Sequence, residues 1–183
     1  MTILEIMAQI ANFIGTTLNM IGINMKDKRK VLLFFIFGDL FVATSLGLLN
    51  AHIGMFAQII FTIEAIINYF YEKKHDKYPI WLVILYVLIP CAVLAFAYES
   101  LWDFLPLIGA IFFPLALVSH NFKLRLINLL SVIVWIPYNY HFGQYVGAIG
   151  CTIFTLMNVM AIIRLDICKK KDVRKIKEEG KNI

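Results

Sequence analysis

The sequence predicts an all-α polytopic membrane protein with seven transmembrane helices, and its composition is the first observation that does so. Of its 183 residues, 61% are hydrophobic and only 16% are charged, and the mean hydropathy is +0.78. Soluble domains are about half apolar and about a quarter charged. Several apolar runs approach the roughly 20 residues that a spanning helix needs. No remaining stretch is long enough for a separate soluble domain, which excludes a folded cytosolic catalytic domain.

The apolar runs and the short polar breaks between them define the seven predicted helices. We expect these helices at residues 3–23, 31–49, 55–71, 80–97, 105–119, 126–140 and 145–165. The first run has no Lys or Arg before it, unlike a signal peptide, so we expect it to be a retained helix. The fifth and sixth runs are short for a full span, and the distribution of charge supports them.

The cations are the second observation, because they orient the helices. All 17 Lys and Arg residues lie in the breaks 24–30, 72–79 and 120–125 or in the C-terminal end from Arg164 onward. The breaks 50–54, 98–104 and 141–144 contain none. Cytoplasmic loops attract Lys and Arg, and seven helices place every cation on one side of the membrane. The N-terminus is therefore predicted outside and the C-terminus in the cytoplasm.

A short repeated pattern is the third observation and predicts how the helices are organised. NAHIG at 50–54 follows the second helix, and NYHFG at 139–143, which is 89 positions later, follows the sixth. Ile14-Gly15 is echoed by Ile108-Gly109, and 60–62 (IFT) by 153–155 (IFT). Both copies lie on the same predicted side of the membrane, each between an outward-running and an inward-running helix. A three-helix unit ends on the side opposite its start, and one linker helix brings the chain back, so the pattern predicts two parallel three-helix repeats joined by a linker helix. The NxHxG copies are either tight external turns or a mouth that contacts solute.

This organisation divides the chain into four parts. Residues 1–71 form the first three-helix unit, and 72–104 the linker helix with its flanking loops. Residues 105–165 form the second three-helix unit, and 166–183 a basic cytoplasmic tail. A basic run beside a membrane is typical of a topology anchor near anionic lipid. The tail has neither the aromatic residues nor the folded module that nucleic-acid binding needs.

Three stretches resemble the YgjV-type bacterial inner-membrane proteins. They are LPLIGAIFFPLAL at 105–117, SVIVWIPYN at 131–139 and YVGAIGCTIFTLMNVMAIIRLD at 145–166. The resemblance implies a multi-pass protein of the bacterial cytoplasmic (inner) membrane. The plan of three, one and three helices is also similar, more distantly, to SWEET sugar facilitators and PnuC vitamin transporters. The chain lacks the Pro-Gln dipeptide of the PQ-loop type, so the resemblance implies no particular sugar.

Polar residues recur at helical spacing on four predicted helices, and these faces are expected to line one central cavity. The residues are Glu5, Gln9 and Thr16; Glu64 and Asn68; Asn128, Ser131, Trp135 and Asn139; and Cys151, Thr155 and Asn158. Trp135 either stacks on a ring of the solute or packs in the core. The amide of Asn158 can donate to and accept from a solute. The resemblance to SWEETs implies that Cys151 and Thr62 lie near the solute-facing positions of that family.

Two carboxyl groups lie at membrane depth. Asp39 is in the middle of the second helix and Glu64 in the middle of the third, without a Lys or Arg at that depth. A carboxyl group buried without a cation tends to hold its proton. We expect these groups either to carry protons or to receive a cationic or hydroxylated solute. The structural alternative is a protonated acid hydrogen-bonded to a neighbouring helix.

These observations favour a secondary transporter or facilitator of a small polar solute, working by alternating access of the two three-helix units. The alternative is a non-transporting membrane protein that acts as an assembly or regulatory partner. An enzyme is not expected, because the three cysteines and four histidines show no metal-ligand spacing and no nucleophile–base set is evident. No cofactor is expected. The expected partners are the lipid bilayer, the solute and protons, with homo-oligomerisation left open and no nucleic acid.

Overall fold

The regular structure of this chain is entirely helical. The computed structural model describes residues 2–72, 79–97, 100–119 and 122–164, and these residues contain no β-strand. The helices are α1 (Ile3–Ile23), α2 (Lys28–Leu48), α3 (His52–Glu72), α4 (Ile80–Ala97), α5 (Phe104–Leu117), α6 (Phe122–Ile133), α7 (Trp135–His141) and α8 (Tyr145–Ala161), with a 3-10 turn at Leu101–Asp103. The prediction of an all-α protein is confirmed. The predicted tail 166–183 lies outside the described residues.

Four segments are long and apolar enough to cross a membrane. They are Ile3–Ile23, Lys28–Leu48, His52–Glu72 and Tyr145–Arg164. Ile80–Val93 and Leu101–Ala116 are shorter apolar helical segments. Large apolar side chains on these helices are exposed, and Ile3, Phe70 and Phe96 are examples with 78%, 62% and 93% of their surface accessible. Exposed apolar surface of this kind is what a lipid-facing helix presents.

The structure corrects the predicted breaks that contain cations. α2 begins at Lys28 rather than at 31, because Asp27 caps it and its carboxylate accepts the backbone N–H of Arg29 at 2.9 Å. α6 begins at Phe122 rather than at 126, so Arg125 belongs to the helix and not to a loop. Arg125 is buried because its guanidinium donates to the carbonyl oxygens of Ile23 (3.5 Å) and Met25 (3.2 Å) at the end of α1. A cation there satisfies carbonyls that have no partner within α1.

The predicted sixth helix, 126–140, is divided between α6 and α7 at Val134. Pro137 explains the interruption, since proline has no N–H to donate to the carbonyl of Ile133 four residues earlier and its ring crowds that carbonyl. α6 therefore ends at Ile133, and α7 continues for two turns to His141.

Two turns have the same hydrogen-bond pattern, but the repeated pentapeptides do not occupy equivalent places in them. Asn50 (φ 57°) and Gly143 (φ 70°) are the left-handed residues, and they are 93 positions apart. The next residue in each turn, Ala51 or Gln144, donates its N–H to a carbonyl five residues back, at 3.0 and 2.8 Å. This is the Schellman arrangement. The predicted pairing of Asn50 with Asn139 is wrong by about one helical turn, because Asn139 lies inside α7.

The helices pack as two groups bridged by α4. In the N-terminal group (α1–α3), α2 packs against both α1 and α3; in the C-terminal group (α5–α8), α6 packs against α5 and α8, and α7 against α8. Between the groups, α1 packs on α8 and α3 packs on α5. α1 and α2 meet closely, since a Cβ on Gly15 would lie 2.6 Å from the carbonyl oxygen of Gly38. Small residues allow this approach of helix backbones within a membrane.

Contacts between helix termini define two ends of the bundle. At the basic end, Lys28 pairs with Glu72 at 3.0 Å, and the guanidinium of Arg29 lies 5.0 Å from the ring centroid of Tyr69. Arg125 and Arg164 contact the end of α1 there. At the turn end, which holds Asn50 and Gly143, Trp102 stacks on His141 with ring centroids 4.2 Å apart. The described cations therefore gather at one end of the bundle.

The hydroxyl of Tyr138 provides a stability test of the contact between α7 and α3. Tyr138 is fully buried, and its hydroxyl oxygen accepts the N–H of Gly54 at 2.9 Å. Gly54 lies in the first turn of α3, where an N–H has no acceptor within the helix. We expect Tyr138→Phe to lower the free energy of unfolding by about 1–3 kcal/mol, because it leaves that buried N–H unpaired.

The measurement is reversible unfolding in detergent micelles, with Tyr140→Phe as the matched control. The side chain of Tyr140 is 69% exposed, so its substitution should change the free energy by no more than about 0.5 kcal/mol. Equal effects of the two substitutions would show that the Gly54 contact contributes nothing to stability.

Candidate functional site

A cavity lies between the N-terminal and C-terminal groups. Its lining residues come from α1, α2 and α3 on one side and from α5, α6, α7 and α8 on the other. Its volume is about 60 Å³, which is enough for a few water molecules. A concave site at the junction of two packed groups, with polar side chains that converge on it, is the usual form of a small-molecule site.

The polar part of the wall is rich in amide side chains. The polar lining residues are Asn12, Thr16, Asn19, Asp39, Gln58, Asn128, Ser131 and Asn139, with the thiol of Cys151. Some of them are engaged with other groups of the protein: Thr16 donates to the side-chain oxygen of Asn12 within α1 at 3.0 Å, and Ser131 of α6 donates to the carbonyl of Gly109 on α5 at 3.0 Å. Such pairing is required of polar groups inside a membrane.

Asp39 is the carboxylate in this wall. It is 5% exposed, and one oxygen, Oδ1, accepts a hydrogen bond from Nδ2 of Asn19 at 2.9 Å. The other oxygen, Oδ2, is buried without a partner among the described residues. Lys, Arg and His side chains are absent from the described lining of the cavity. The cavity therefore has a negative or neutral wall, depending on whether Asp39 carries a proton.

Aromatic rings form the rest of the wall. They are Phe35, Phe61, Phe113, Trp135 and Phe154. The ring centroids of Phe61 and Phe113 are 4.3 Å apart. Phe61 and Trp135 pack edge to face, with ring centroids 6.1 Å apart and an angle of 79° between the ring planes. These rings hold one another in place, so the aromatic surface that faces the cavity is rigid.

The structure brings together three of the seven predicted binding residues. Asp39, Trp135 and Cys151 line the cavity. All four members of the predicted stripe on the sixth helix, Asn128, Ser131, Trp135 and Asn139, also line it. Nδ2 of Asn139 donates to the sulfur of Cys151 at 3.4 Å, which fixes the two side chains across α7 and α8.

The other four predicted residues are buried outside the cavity lining. Asn158 donates from Nδ2 to the backbone carbonyl of Arg125 at 3.0 Å, and Thr62 donates to the carbonyl of Gln58 at 2.9 Å. Asn68 donates to the carbonyl of Glu64 at 2.7 Å and lies 3.3 Å from the hydroxyl of Tyr86 on α4. The carboxyl oxygens of Glu64 are buried without a hydrogen-bond partner among the described residues. Glu64 does lie close enough to Asp39 for the two groups to interact electrostatically.

Three polar lining residues were missed by the sequence analysis. They are Asn12, Asn19 and Gln58. Asn12, Thr16 and Asn19 follow the spacing i, i+4, i+7 and therefore share one face of α1, which is the pattern that could have identified them. Thr16 also shares a face with Glu5 and Gln9, and the sequence analysis assigned it to that face instead. Gln9 serves a different purpose: it donates to the carbonyl of Gly143 at 3.1 Å and accepts the N–H of Val146 at 3.0 Å.

Hydrogen bonds join the two groups at the turn end. Gln9 of α1 bonds to Gly143 and to Val146, as described above. Gln144 donates to the hydroxyl of Ser45 on α2, which in turn donates to the carbonyl of Ala8 at 2.6 Å. The Tyr138 hydroxyl holds α7 against the first turn of α3. The bonds of Gln9, Gln144 and Tyr138 cross from one group to the other, and the bond of Ser45 to Ala8 orients the hydroxyl that Gln144 contacts.

The basic end has contacts of the same kind. Arg125 of α6 bonds to the carbonyls of Ile23 and Met25, and Arg164 donates to Oδ1 of Asn24 at 3.4 Å. Both arginines come from the C-terminal group, and their acceptors lie at the end of α1 in the N-terminal group. The two groups that form the cavity are therefore joined by side-chain hydrogen bonds at both ends of the bundle.

No described set of three or more His, Cys, Asp and Glu side chains is arranged to hold a metal ion. The donors that do face the cavity are one carboxylate, amide groups, hydroxyls and one thiol. Such a set can recognise a polar or cationic solute by hydrogen bonds and charge, and it offers no paired acid and base for a hydrolytic step.

Comparison with known proteins identifies the family. No curated protein and no solved structure matches the chain significantly, so its distant likeness to SWEET and PnuC transporters stays a prediction. The family described as Imp-YgjV, bacterial inner membrane protein, matches residues 6–169. This match covers nearly the whole of the chain, agrees with its apolar, lipid-facing helices, and confirms the predicted family. The chain belongs to the Imp-YgjV family of bacterial inner membrane proteins.

Proposed function

We propose that this protein is a secondary carrier or facilitator of a small polar solute. The N-terminal group and the C-terminal group rock against each other, and the cavity between them opens to one side of the membrane at a time. The observation that carries this proposal is the cavity at the junction of the two groups, together with hydrogen bonds that cross from one group to the other at both ends of the bundle. Bonds of this kind can break at one end while those at the other end remain.

An internal parallel repeat supports this mechanism. The separation of 93 positions between Asn50 and Gly143 also relates cavity residues of the two groups. The related pairs are Phe35 with Asn128, Asp39 with Val132, Val42 with Trp135, Gln58 with Cys151, and Phe61 with Phe154. The packing of α1 on α8 and of α3 on α5 has the same two-fold relation. A solute site at the interface of two repeats is typical of secondary transporters.

The membrane orientation follows from the basic end. Lys28, Arg29, Arg125 and Arg164 gather there, and the excess of Lys and Arg in bacterial membrane proteins lies on the cytoplasmic side. We propose that this end faces the cytoplasm, that the turn end faces outside, and that the chain crosses the membrane seven times. α6 and α7 together would make one of the crossings.

A non-transporting assembly or regulatory partner is the second candidate. The placement of Glu64 and Asn158 outside the cavity lining favours it, because a carrier was expected to bring those two residues to the solute. The cavity between the two groups and the polar contacts that join those groups at both ends of the bundle favour the carrier.

Access to Cys151 tests the rocking mechanism without knowledge of the solute. The thiol lines the cavity, so we expect a membrane-impermeant maleimide to label it slowly from the outside in right-side-out vesicles, with Cys91 and Cys168 replaced by Ser. Cross-linking Gln9→Cys to Val146→Cys with a short bifunctional thiol reagent joins α1 to α8 at the turn end. We expect that cross-link to reduce the labelling rate about tenfold or more, because the turn end can no longer open.

The matched control joins residues within one group. Lys28→Cys cross-linked to Glu72→Cys replaces a contact between α2 and α3, and we expect it to leave the labelling of Cys151 unchanged. If the Gln9–Val146 cross-link leaves the rate unaltered, the turn end is not the route to the cavity and the rocking mechanism fails.

Single cysteines at the two ends test the orientation. Tyr140 is 69% exposed near the turn end, and Phe122 is 38% exposed at the basic end. We expect Tyr140→Cys to react with an impermeant maleimide in intact spheroplasts, and Phe122→Cys to react only after the membrane is disrupted. The opposite pattern would invert the orientation, and reaction of both in intact spheroplasts would show that α6 and α7 do not together cross the membrane, which contradicts the proposed seven crossings.

A further inference from the structure

Three side chains that line the cavity each carry a buried oxygen atom with no hydrogen-bond partner among the described residues. These oxygen atoms are Oδ2 of Asp39, Oε1 of Gln58 and Oδ1 of Asn139. Each of these side chains is less than 10% exposed. An unpaired buried acceptor is costly, and in native proteins it usually marks a position where a ligand, an ion or a water completes the bonding. A fourth oxygen, Oδ1 of Asn19, lies against the backbone of Gly38 instead.

The charges around the cavity also favour a positively charged ligand. Asp39 is the carboxylate of the lining, Glu64 lies close enough to interact with it, and the described lining has no basic side chain. Removing a negative charge from water is expensive unless it is paired. A cation bound at Asp39 would supply the pairing that the protein itself omits.

The aromatic part of the wall suits an organic cation better than a bare metal ion. Phe35, Phe61, Phe113, Trp135 and Phe154 surround the polar groups. Ring faces attract an ammonium group that carries carbon substituents. Alkali and alkaline-earth ions need about six or more oxygen ligands to replace their hydration shells, and the three unpaired oxygens fall short of that number.

We propose that the solute is a small organic cation with a primary ammonium group. The ammonium donates its three N–H groups to Asp39, Gln58 and Asn139, and its carbon substituent lies against Trp135 and the phenylalanine rings. The unpaired donor Nδ2 of Asn128, which also lines the cavity, is available to an acceptor elsewhere on the solute. This inference rests on the proposed function, since it names the class of solute that the cavity of the carrier accepts.

Direct binding to the full chain in lipid nanodiscs tests the proposal. The variant Trp81→Phe/Trp102→Phe leaves Trp135 as the one tryptophan of the chain, so a ligand in the cavity changes the fluorescence. The probe is ethylammonium chloride at neutral pH, compared with ethanol, which has a similar shape and no charge. We expect ethylammonium to bind with a dissociation constant on the order of 1 mM at best, the limit for a ligand of three non-hydrogen atoms, and ethanol to give no saturable change.

Two substitutions locate the ammonium. Asp39→Asn keeps the shape of the side chain and should weaken ethylammonium binding about tenfold or more, because a charge-assisted hydrogen bond is lost. Gln58→Met removes one oxygen at similar length and should weaken binding by a smaller factor of about three to ten. Glu5→Gln removes one negative charge at the start of α1, away from the cavity, and should leave binding unchanged.

Other results would overturn the proposal. If ethanol binds as well as ethylammonium, or if both cavity substitutions leave ethylammonium binding unaltered, the cavity does not select a cation. If sodium or potassium chloride competes with ethylammonium at equal concentration, the site takes an inorganic cation. None of these results would change the labelling of Cys151 or the effect of the Gln9–Val146 cross-link on it. The binding experiments therefore test the class of solute, and the labelling experiment separately tests the carrier mechanism.

Discussion

A membrane interior provides no water to complete the hydrogen bonds of buried groups, and this constraint governs where the chain places its polar side chains. Several of them bond to a backbone carbonyl four residues earlier in the same helix, as Thr62 and Asn68 do. Others bond to a neighbouring helix: Ser45 donates to Ala8, Ser131 to Gly109, and Asn158 to Arg125. Each of these three bonds satisfies a polar group and also holds two helices together. Asp39, Gln58 and Asn139 keep a buried polar atom without a partner among the described residues and line the cavity between the two helix groups, which makes that cavity a candidate site.

The contacts between the two groups differ in kind from those within each group. Inside the N-terminal group, helix backbones meet closely at Gly15 and Gly38, and such packing cannot be loosened without leaving empty space. Between the groups, the end contacts depend on side-chain hydrogen bonds such as those of Gln9 and Arg125. Water can replace bonds of this kind when an end opens, at a modest cost in free energy. The architecture therefore combines rigid groups with a junction that can be broken, which is the combination a rocking carrier needs.

The sequence predicted most of the helices and part of the site, and the failures have identifiable physical causes. α1 and α4 have the predicted bounds because each is a mostly apolar run that is followed by a polar break in the sequence. The predicted start of α6 was too late, because the prediction placed Arg125 in a cytoplasmic loop. In the structure Arg125 is part of the helix, since its guanidinium donates to a carbonyl at the end of α1. The NxHxG pairing was displaced by about one turn, because both Asn and Gly adopt the left-handed conformation and either can occupy the critical position. Asn12 and Asn19 were missed because periodicity gives the face of a helix but not which of two overlapping stripes faces the partner.

Cavity residues that correspond under the proposed repeat differ in chemistry. Asp39 lies on one side where Val132 would correspond on the other, and Phe35 where Asn128 would correspond. Two identical halves related by an axis along the membrane normal would accept a molecule equally well in two orientations that differ by a half-turn about that axis. Here the walls are unlike, so a molecule in the cavity would have one preferred orientation in the plane of the membrane, with its charged end toward the wall that holds Asp39. In the proposed carrier, the two helix groups would therefore hold different ends of the same solute.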